Sequence, residues 1–224
     1  MWYIPARSEA VTMDMETARL KLMHQLSQEI RDKKVLDAMS RVPRELFVPT
    51  SSQHAAYENI PLPIEMGQTI SQPFIVALMT EAMELTGKEK VLEVGTGSGY
   101  QTAILCELAN RVVTVERHQR LLDRAKDVLT MLGYINVEFH LTEKTLGWFE
   151  GAPYDAIIVT AGAPKVPQVL LDQLAIDGRL VIPVGSRFEQ DLMQVIKRKE
   201  GTVTTNLGAC RFVPLIGEGA WDED

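Results

Sequence analysis

A short apolar run that breaks on an acid and three alternating glycines constrains this chain more than any other segment. It reads Val91-Leu92-Glu93-Val94-Gly95-Thr96-Gly97-Ser98-Gly99-Tyr100. A run so short and so apolar fits a strand buried on both faces of a parallel sheet. Glycines at alternate positions then make a turn with no side chains in the way, and a helix follows. A second apolar run, Arg111-Val112-Val113-Thr114-Val115-Glu116, again ends on an acid. Strand, bare turn, helix and acid-tipped strand together form a layout that holds a nucleoside-bearing cofactor. Backbone meets the ligand, and the acid accepts from the ribose hydroxyls. The glycines alone would also serve as a plain strand-to-helix turn. Glu116, 17 residues beyond Gly99, stands where a ribose acid belongs.

The remainder of the second half repeats this texture. Strands are expected at 90–94, 111–116, 136–140, 154–160 and 179–184, and helices at 99–109, 118–132 and 167–175. Strands separated by helices imply an α/β fold: a doubly wound, mostly parallel, Rossmann-like sheet with helices on both faces. Three further strand-like stretches, 191–199, 202–206 and 209–213, lack intervening helices and predict an antiparallel C-terminal edge. The first part differs. Helical spacing covers 13–30, 33–40 and 74–85, and proline-rich segments lie at 42–49 and 59–67. The prolines exclude 59–67 from any central strand. The expected organisation is a single domain over 1–224. An N-terminal helical and active-site segment spans about 12–86, and a sheet core spans about 87–217.

Composition removes several classes of function. A formal net charge of −7 is wrong for nonspecific nucleic-acid binding, which needs a basic surface. No run approaches the roughly 20 apolar residues of a membrane span, and the stretch Met1–Arg7 is too short for a signal sequence core. The two cysteines, Cys106 and Cys210, make neither a metal framework nor a disulfide scaffold, which fits a cytoplasmic protein without a metal. Oligomeric state is not legible, with a monomer slightly favoured. His24, His54, His118 and His140 are scattered and form no constellation.

The glycine spacing narrows the cofactor. A dinucleotide site favours G-x-G-x-x-G, but here Tyr100 occupies the place of the third glycine of that pattern. S-adenosylmethionine (SAM) fits better, because it has no pyrophosphate to cradle. Its ammonium asks for an acid near the loop, and Glu93 is the candidate. A second signal is Gly67-Gln68-Thr69-Ile70-Ser71-Gln72-Pro73. If extended, it aims the Thr69 and Ser71 hydroxyls the same way. Ser71 or Gln72 could equally cap the helix that Pro73 begins.

These segments carry a family resemblance. Val91–Tyr100, Gly67–Pro73, Val42–Pro49, Ala55–Ile64, Tyr154–Ala161 and Arg211–Leu215 occur in order. Together they resemble protein-L-isoaspartate O-methyltransferases, enzymes with a seven-stranded methyltransferase sheet. The resemblance implies transfer of the SAM methyl to the free α-carboxylate of isoaspartyl residues in damaged proteins and peptides. The ester then closes to a succinimide, whose hydrolysis returns some aspartate. It further implies that Ser71 is the catalytic-site serine that orients the carboxylate, with Thr69 and Ile70 shaping that site against cofactor and substrate. Glu93, Gly95, Thr96, Gly97, Ser98, Gly99, Glu116, Arg117, Thr142 and Glu143 are implied at the cofactor, and Val213 beside the bound peptide backbone. One departure stands out. Where the family has Gly-Asp-Gly, this chain has Thr142-Glu143-Lys144, so a longer carboxylate would face the adenine amino group. That departure leaves room for two other readings: a carboxylate methyltransferase with a dedicated peptide substrate, or a SAM- or protein-binding module with weakened catalysis.

Overall fold

The computed structural model describes residues 9–142 and 145–223. The first part of the chain is helical: α1 (Glu9–Leu26), α2 (Lys33–Arg41) and, after a two-stranded ribbon, α3 (Pro73–Glu81). The ribbon pairs β1 (Leu62–Pro63) antiparallel with β2 (Thr69–Ile70). It stands outside the main sheet, as the two prolines require. The apolar runs then become β3 (Lys90–Val94), α4 (Tyr100–Leu108), β4 (Arg111–Glu116), α5 (Gln119–Met131), β5 (Val137–Leu141), β6 (Tyr154–Val159) and α6 (Gln168–Gln173). Three long strands finish the chain: β7 (Leu174–Gly185), β8 (Gln190–Arg198) and β9 (Gly201–Cys210).

These strands form a seven-stranded sheet in the order β5-β4-β3-β6-β7-β8-β9. The first five run parallel, and β8 and β9 add the antiparallel edge. β3 lies in the middle. Strand order grows one way to β4 and β5, then reverses to β6 and β7. A crevice opens outside the carboxyl ends of the strands at such a reversal, where ligands of open α/β sheets bind.

The period of two along each strand divides the core. Val91, Val112 and Ala156 face a cluster built with α1 to α5, while Leu92, Val113 and Ile157 face a second cluster with Leu170 of α6. All six are fully buried or nearly so. This is the near-continuous apolar texture expected of strands covered on both faces.

Several boundaries differ from the sequence reading, each for a local reason. α1 stops at Leu26 instead of reaching Ile30: the backbone tightens to i−3 bonds at Gln28 (3.3 Å) and Glu29 (3.1 Å), and the Ser27 hydroxyl donates to the His24 carbonyl (2.8 Å). α3 stops at Glu81, and the chain passes through a left-handed residue at Glu84 (φ 49°). The helix expected over 167–175 yields its end to β7, because Leu174 pairs with Tyr154. The stretches 202–206 and 209–213 are not two strands. β9 runs through to Cys210, and a register shift opposite Asp191–Met193 accommodates Gly208 at φ 118°.

The start of α3 fixes the segment that precedes it. Neither Ser71 nor Gln72 caps this helix. Gln72 occupies the cap position without a side-chain cap bond. Asn59, from the proline-rich loop, reaches over instead: its Oδ1 accepts from the Phe74 N–H (2.9 Å), and its carbonyl accepts from Gln72 Nε2 (2.9 Å). Asn59→Ala removes a cap of this kind and is expected to lower stability by about 1 kcal/mol. Thermal unfolding should show a Tm drop of about 2–4 °C for a chain of this length.

Candidate active site

A cavity of about 320 Å³ lies in the crevice at the strand reversal. Its floor comes from the carboxyl ends of four parallel strands: Val94 to Ser98 after β3, Val115 to His118 after β4, Thr142 after β5, and Thr160 and Ala161 after β6. Gly67 to Ser71 form one wall, and Val213 to Ile216 close another.

The glycine turn is held by β4 more than by itself. Gly95 and Thr96 donate their N–H groups to the Val115 carbonyl (2.8 and 3.2 Å), and Gly97 donates to Glu116 Oε2 (2.9 Å). Gly95 has φ 99°, and a Cβ there would lie 2.3 Å from Thr160 Oγ1. That hydroxyl donates to the Gly95 carbonyl (2.6 Å) and straps the turn to β6. Gly97 differs: its φ is 53°, and nothing stands within 4 Å of its missing side chain. Glu116 is buried, and its Oε1 accepts from the N–H groups of Arg117 and His118 (both 2.9 Å). Three N–H groups therefore fill three of the about four lone-pair sites of a carboxylate. The remaining capacity is on Oε2, so Glu116 is a rigid acceptor for a hydroxyl-bearing ligand.

Glu93 does not line the cavity. The strand alternation that puts Leu92 and Val94 on one face puts Glu93 on the other, beneath α4. Its Oε2 accepts from Thr102 Oγ1 (2.5 Å) and Thr114 Oγ1 (2.6 Å), and its Oε1 has no partner among the described residues. Thr96 Oγ1 lies 2.7 Å from Thr114 Oγ1 and donates to it, since the Thr114 proton is given to Glu93. The expected ammonium contact is thus replaced by a buried link from Glu93 to the turn. Burial drives its carboxyl pKa up to about 8, against the opposing pull of the two threonine hydroxyls, with the nearby Glu116 charge adding to the rise.

The Thr69–Ser71 wall behaves as an extended segment. Ile70 is buried, and Thr69, Ile70 and Ser71 all border the cavity. The Ser71 hydroxyl takes no hydrogen bond among the described residues. Behind it, Arg44 is fully buried; its Nη2 donates to the Ser71 carbonyl (2.7 Å) and its Nε to the Ala56 carbonyl (2.9 Å). Across the cavity, the Val213 carbonyl accepts from the Gly162 N–H (2.8 Å). The Val213 N–H has no partner among the described residues.

Thirteen of the fourteen expected site residues are described. Thr69, Ile70, Ser71, Gly95, Thr96, Gly97, Ser98, Glu116, Arg117, Thr142 and Val213 line the cavity, Gly99 lies just beyond it at the N-terminus of α4, and Glu93 lies apart. Glu143, and Lys144 beside it, fall outside the described residues. Sequence reasoning missed His118, Thr145, Leu146 and Thr160. Thr160 closes an apolar strand run, which is the same signal that singled out Glu116. Among the described residues, no group of three or more His, Cys, Asp or Glu side chains could hold a metal ion. No described helix is long and apolar enough to cross a membrane.

A mostly parallel sheet, a glycine turn at its strand reversal and a fixed acid on the next strand define the SAM-dependent methyltransferase class. Comparison with known proteins narrows the class. The model of the protein-L-isoaspartate(D-aspartate) O-methyltransferase family matches residues 17–220. A protein-L-isoaspartate O-methyltransferase of Pelobacter propionicus is 54% identical over 216 residues, covering 93% of this chain and all of that one. One of Dictyoglomus thermophilum is 53% identical over 213 residues, covering 95% of this chain and 97% of its own. A solved protein-L-isoaspartate O-methyltransferase superposes with a TM-score of 0.80 at 31% identity, covering 90% of this chain and 67% of that one. A Plasmodium falciparum chain assigned to the same family was solved in complex with S-adenosyl-L-homocysteine. It gives a TM-score of 0.72 at 25% identity and covers 86% of this chain and 95% of its own. The chain belongs to the protein-L-isoaspartate O-methyltransferase family.

Two expectations follow from the turn and its buried acid. Gly95→Ala forces a methyl against Thr160 and should destabilise the fold. Gly97→Ala meets open space in the cavity, so it should leave the fold closer to intact and act mainly on ligand affinity, read by calorimetry with S-adenosylhomocysteine. The second concerns pH. Glu93 has a folded pKa of about 8 against an ordinary 4.5, so the folded state retains a proton that the unfolded chain has lost between those values. Stability from this group is complete below pH 4.5 and is lost as pH rises toward 8. Glu93→Gln cannot titrate, so its Tm relative to the parent should climb between pH 5 and about pH 8. A constant Tm difference across that range would refute the assignment.

Proposed function

We propose that the chain transfers a methyl group from SAM to the free α-carboxylate of isoaspartyl residues in damaged proteins and peptides. The observation that carries this reading is the Ser71 hydroxyl. Among the described residues it has no hydrogen-bond partner, and it stands on the wall of a cavity whose floor is the glycine turn. The cap that would have occupied it is supplied by Asn59 instead. A side chain so placed is available to an incoming acceptor group.

The residues divide the work by position. Gly95, Thr96, Gly97, Ser98 and Gly99 present backbone to the cofactor, and Glu116 accepts from its ribose. Arg117 and Thr142 border the same end, and Thr69 and Ile70 separate that end from the substrate. The cofactor supplies an activated methyl on a sulfonium. The substrate carboxylate is already ionised at neutral pH, so no general base is needed. What remains is to hold the nucleophile in line and exclude water, which can supply about 7–11 kcal/mol in favourable cases. Ser71 donates to one carboxylate oxygen and fixes its direction. The Val213 N–H offers one backbone hydrogen bond to the peptide, while its carbonyl is already engaged by Gly162. Recognition through backbone leaves flanking side chains free to vary, as a repair enzyme requires.

The whole chain acts as one domain, the N-terminal 12–86 supplying the substrate wall and 87–217 the cofactor floor. A monomer suffices for this, since both walls of the cavity come from one chain. A cytoplasmic location accords with Cys106 and Cys210 both being free thiols. Glu143 is proposed at the adenine end in place of the shorter acid of the family.

The assay pairs an isoaspartyl peptide with its aspartyl counterpart and counts base-labile methyl esters. Methylation of the first alone is expected; equal labelling of both would sink the reading. Ser71→Ala removes a hydrogen bond to a charged group, worth about 1.5–3 kcal/mol. Its kcat/KM should therefore fall by roughly 10- to 100-fold, with affinity for S-adenosylhomocysteine little changed.

A further inference from the structure

Arg44 is the largest of the fully buried side chains, yet no carboxylate lies within ion-pairing distance of it among the described residues. An unpaired charge in a protein interior is costly and rare. Here it is stabilised by two carbonyls, those of Ala56 and Ser71, and by the face of Tyr100, whose ring centroid lies 4.7 Å from the guanidinium carbon. Nη1 is buried and has no hydrogen-bond partner among the described residues. Two of the three groups that hold the guanidinium, Ser71 and Tyr100, themselves border the cavity. The charge therefore sits directly behind the wall that carries the Ser71 hydroxyl.

The cavity has little other positive charge to offer. Of the described residues that line it, only Arg117 carries a fixed cation, and that guanidinium pairs with Glu223. Arg117 also adjoins Glu116, on the floor contributed by β4. The one fixed cation among the described lining residues is thus already engaged by a carboxylate.

We propose that Arg44 is a positioning residue whose buried guanidinium fixes the Ser71 backbone and supplies the positive potential that selects an ionised carboxylate at that wall. The proposal rests on the substrate reading above. A guanidinium keeps its proton in proteins, so the potential is permanent. In a region of low effective dielectric it acts across the thickness of one residue with little screening. It favours the anionic substrate over the neutral ester product, which assists release after transfer.

The test compares one isoaspartyl peptide with the same peptide carrying an α-carboxamide in place of the carboxylate. Affinities for both are measured by calorimetry on the protein saturated with S-adenosylhomocysteine, for the parent, Arg44→Lys and Arg44→Gln. Gln keeps a donor for a carbonyl and drops the charge; Lys keeps the charge. The parent should prefer the carboxylate by at least about tenfold. Arg44→Gln should lose most of that preference and raise KM for the peptide more than it lowers kcat. Arg44→Lys should keep the preference while kcat/KM falls, because its point charge cannot reproduce the fork on two carbonyls. An unchanged preference in Arg44→Gln overturns the proposal, as does equal loss in both variants, which would mark a structural role only. Loss of S-adenosylhomocysteine binding in both variants counts as equal loss and overturns it too, as does parity between the two peptides in the parent. Failure of the parent to methylate the isoaspartyl peptide would instead refute the substrate reading, so the two failures are distinct.

Discussion

The structure depends on how the turn after β3 is tied to the end of β4. Gly95, Thr96 and Gly97 all send their N–H groups sideways, to the Val115 carbonyl and the Glu116 carboxylate. Glu116 in turn accepts from the two residues that open the way into α5. One carboxylate thus sets the spacing between two strand ends. It holds the turn open toward the cavity and is itself neutralised in part by backbone dipoles. Remove the side chain and three partly buried N–H groups lose their acceptor at once. The ribose acid of this fold is a structural element before it meets a ligand.

Beneath the same turn lies a second acid under opposite physics. Glu116 is surrounded by N–H donors; Glu93 has two hydroxyl donors, full burial and an oxygen with no partner among the described residues. Desolvation prevails, and Glu93 rests closer to the neutral form. Neutrality matters, because two ionised carboxylates under one turn would repel. The chain Glu93, Thr114, Thr96 therefore transmits a hydrogen-bonded constraint into the turn without adding a full second charge.

Much of this was legible in the sequence, and the rest was hidden for identifiable reasons. The parallel core could be read from apolar runs spaced by helices, and Glu116 from its place at a strand tip. Glu93 is close to the turn in sequence, but the period of the strand turns it under α4 and away from the cavity. The helix cap was sought next to Pro73, whereas Asn59 reaches it from 15 residues away. A tertiary cap leaves no local signature. Arg44 sat in a turn between prolines, where an arginine is ordinarily solvated. Its burial follows from the packing of that turn against Tyr100, which contacts in three dimensions alone define. The break read at 207–208 was real but was a bulge within one strand, since Gly208 tolerates the backbone that lets β9 regain its register.

A methyl transfer to a carboxylate sets conflicting electrostatic demands. The acceptor is an anion that must be gathered and held, while the donor is a sulfonium that any surface cation would repel. A lysine or arginine in contact with the carboxylate would also draw electron density from the nucleophilic oxygen. An arginine one layer behind the wall eases all three problems. Its field reaches the carboxylate through the Ser71 segment, its face toward the turn is covered by the Tyr100 ring, and the direct contact is left to a neutral hydroxyl. Burial of Arg44 carries a desolvation penalty, which the Ala56 and Ser71 carbonyls offset only in part. A fold that tolerates such a penalty within hydrogen-bonding reach of its acceptor wall gains a field that is fixed before substrate arrives, and preorganised charge of that kind needs no rearrangement during the reaction.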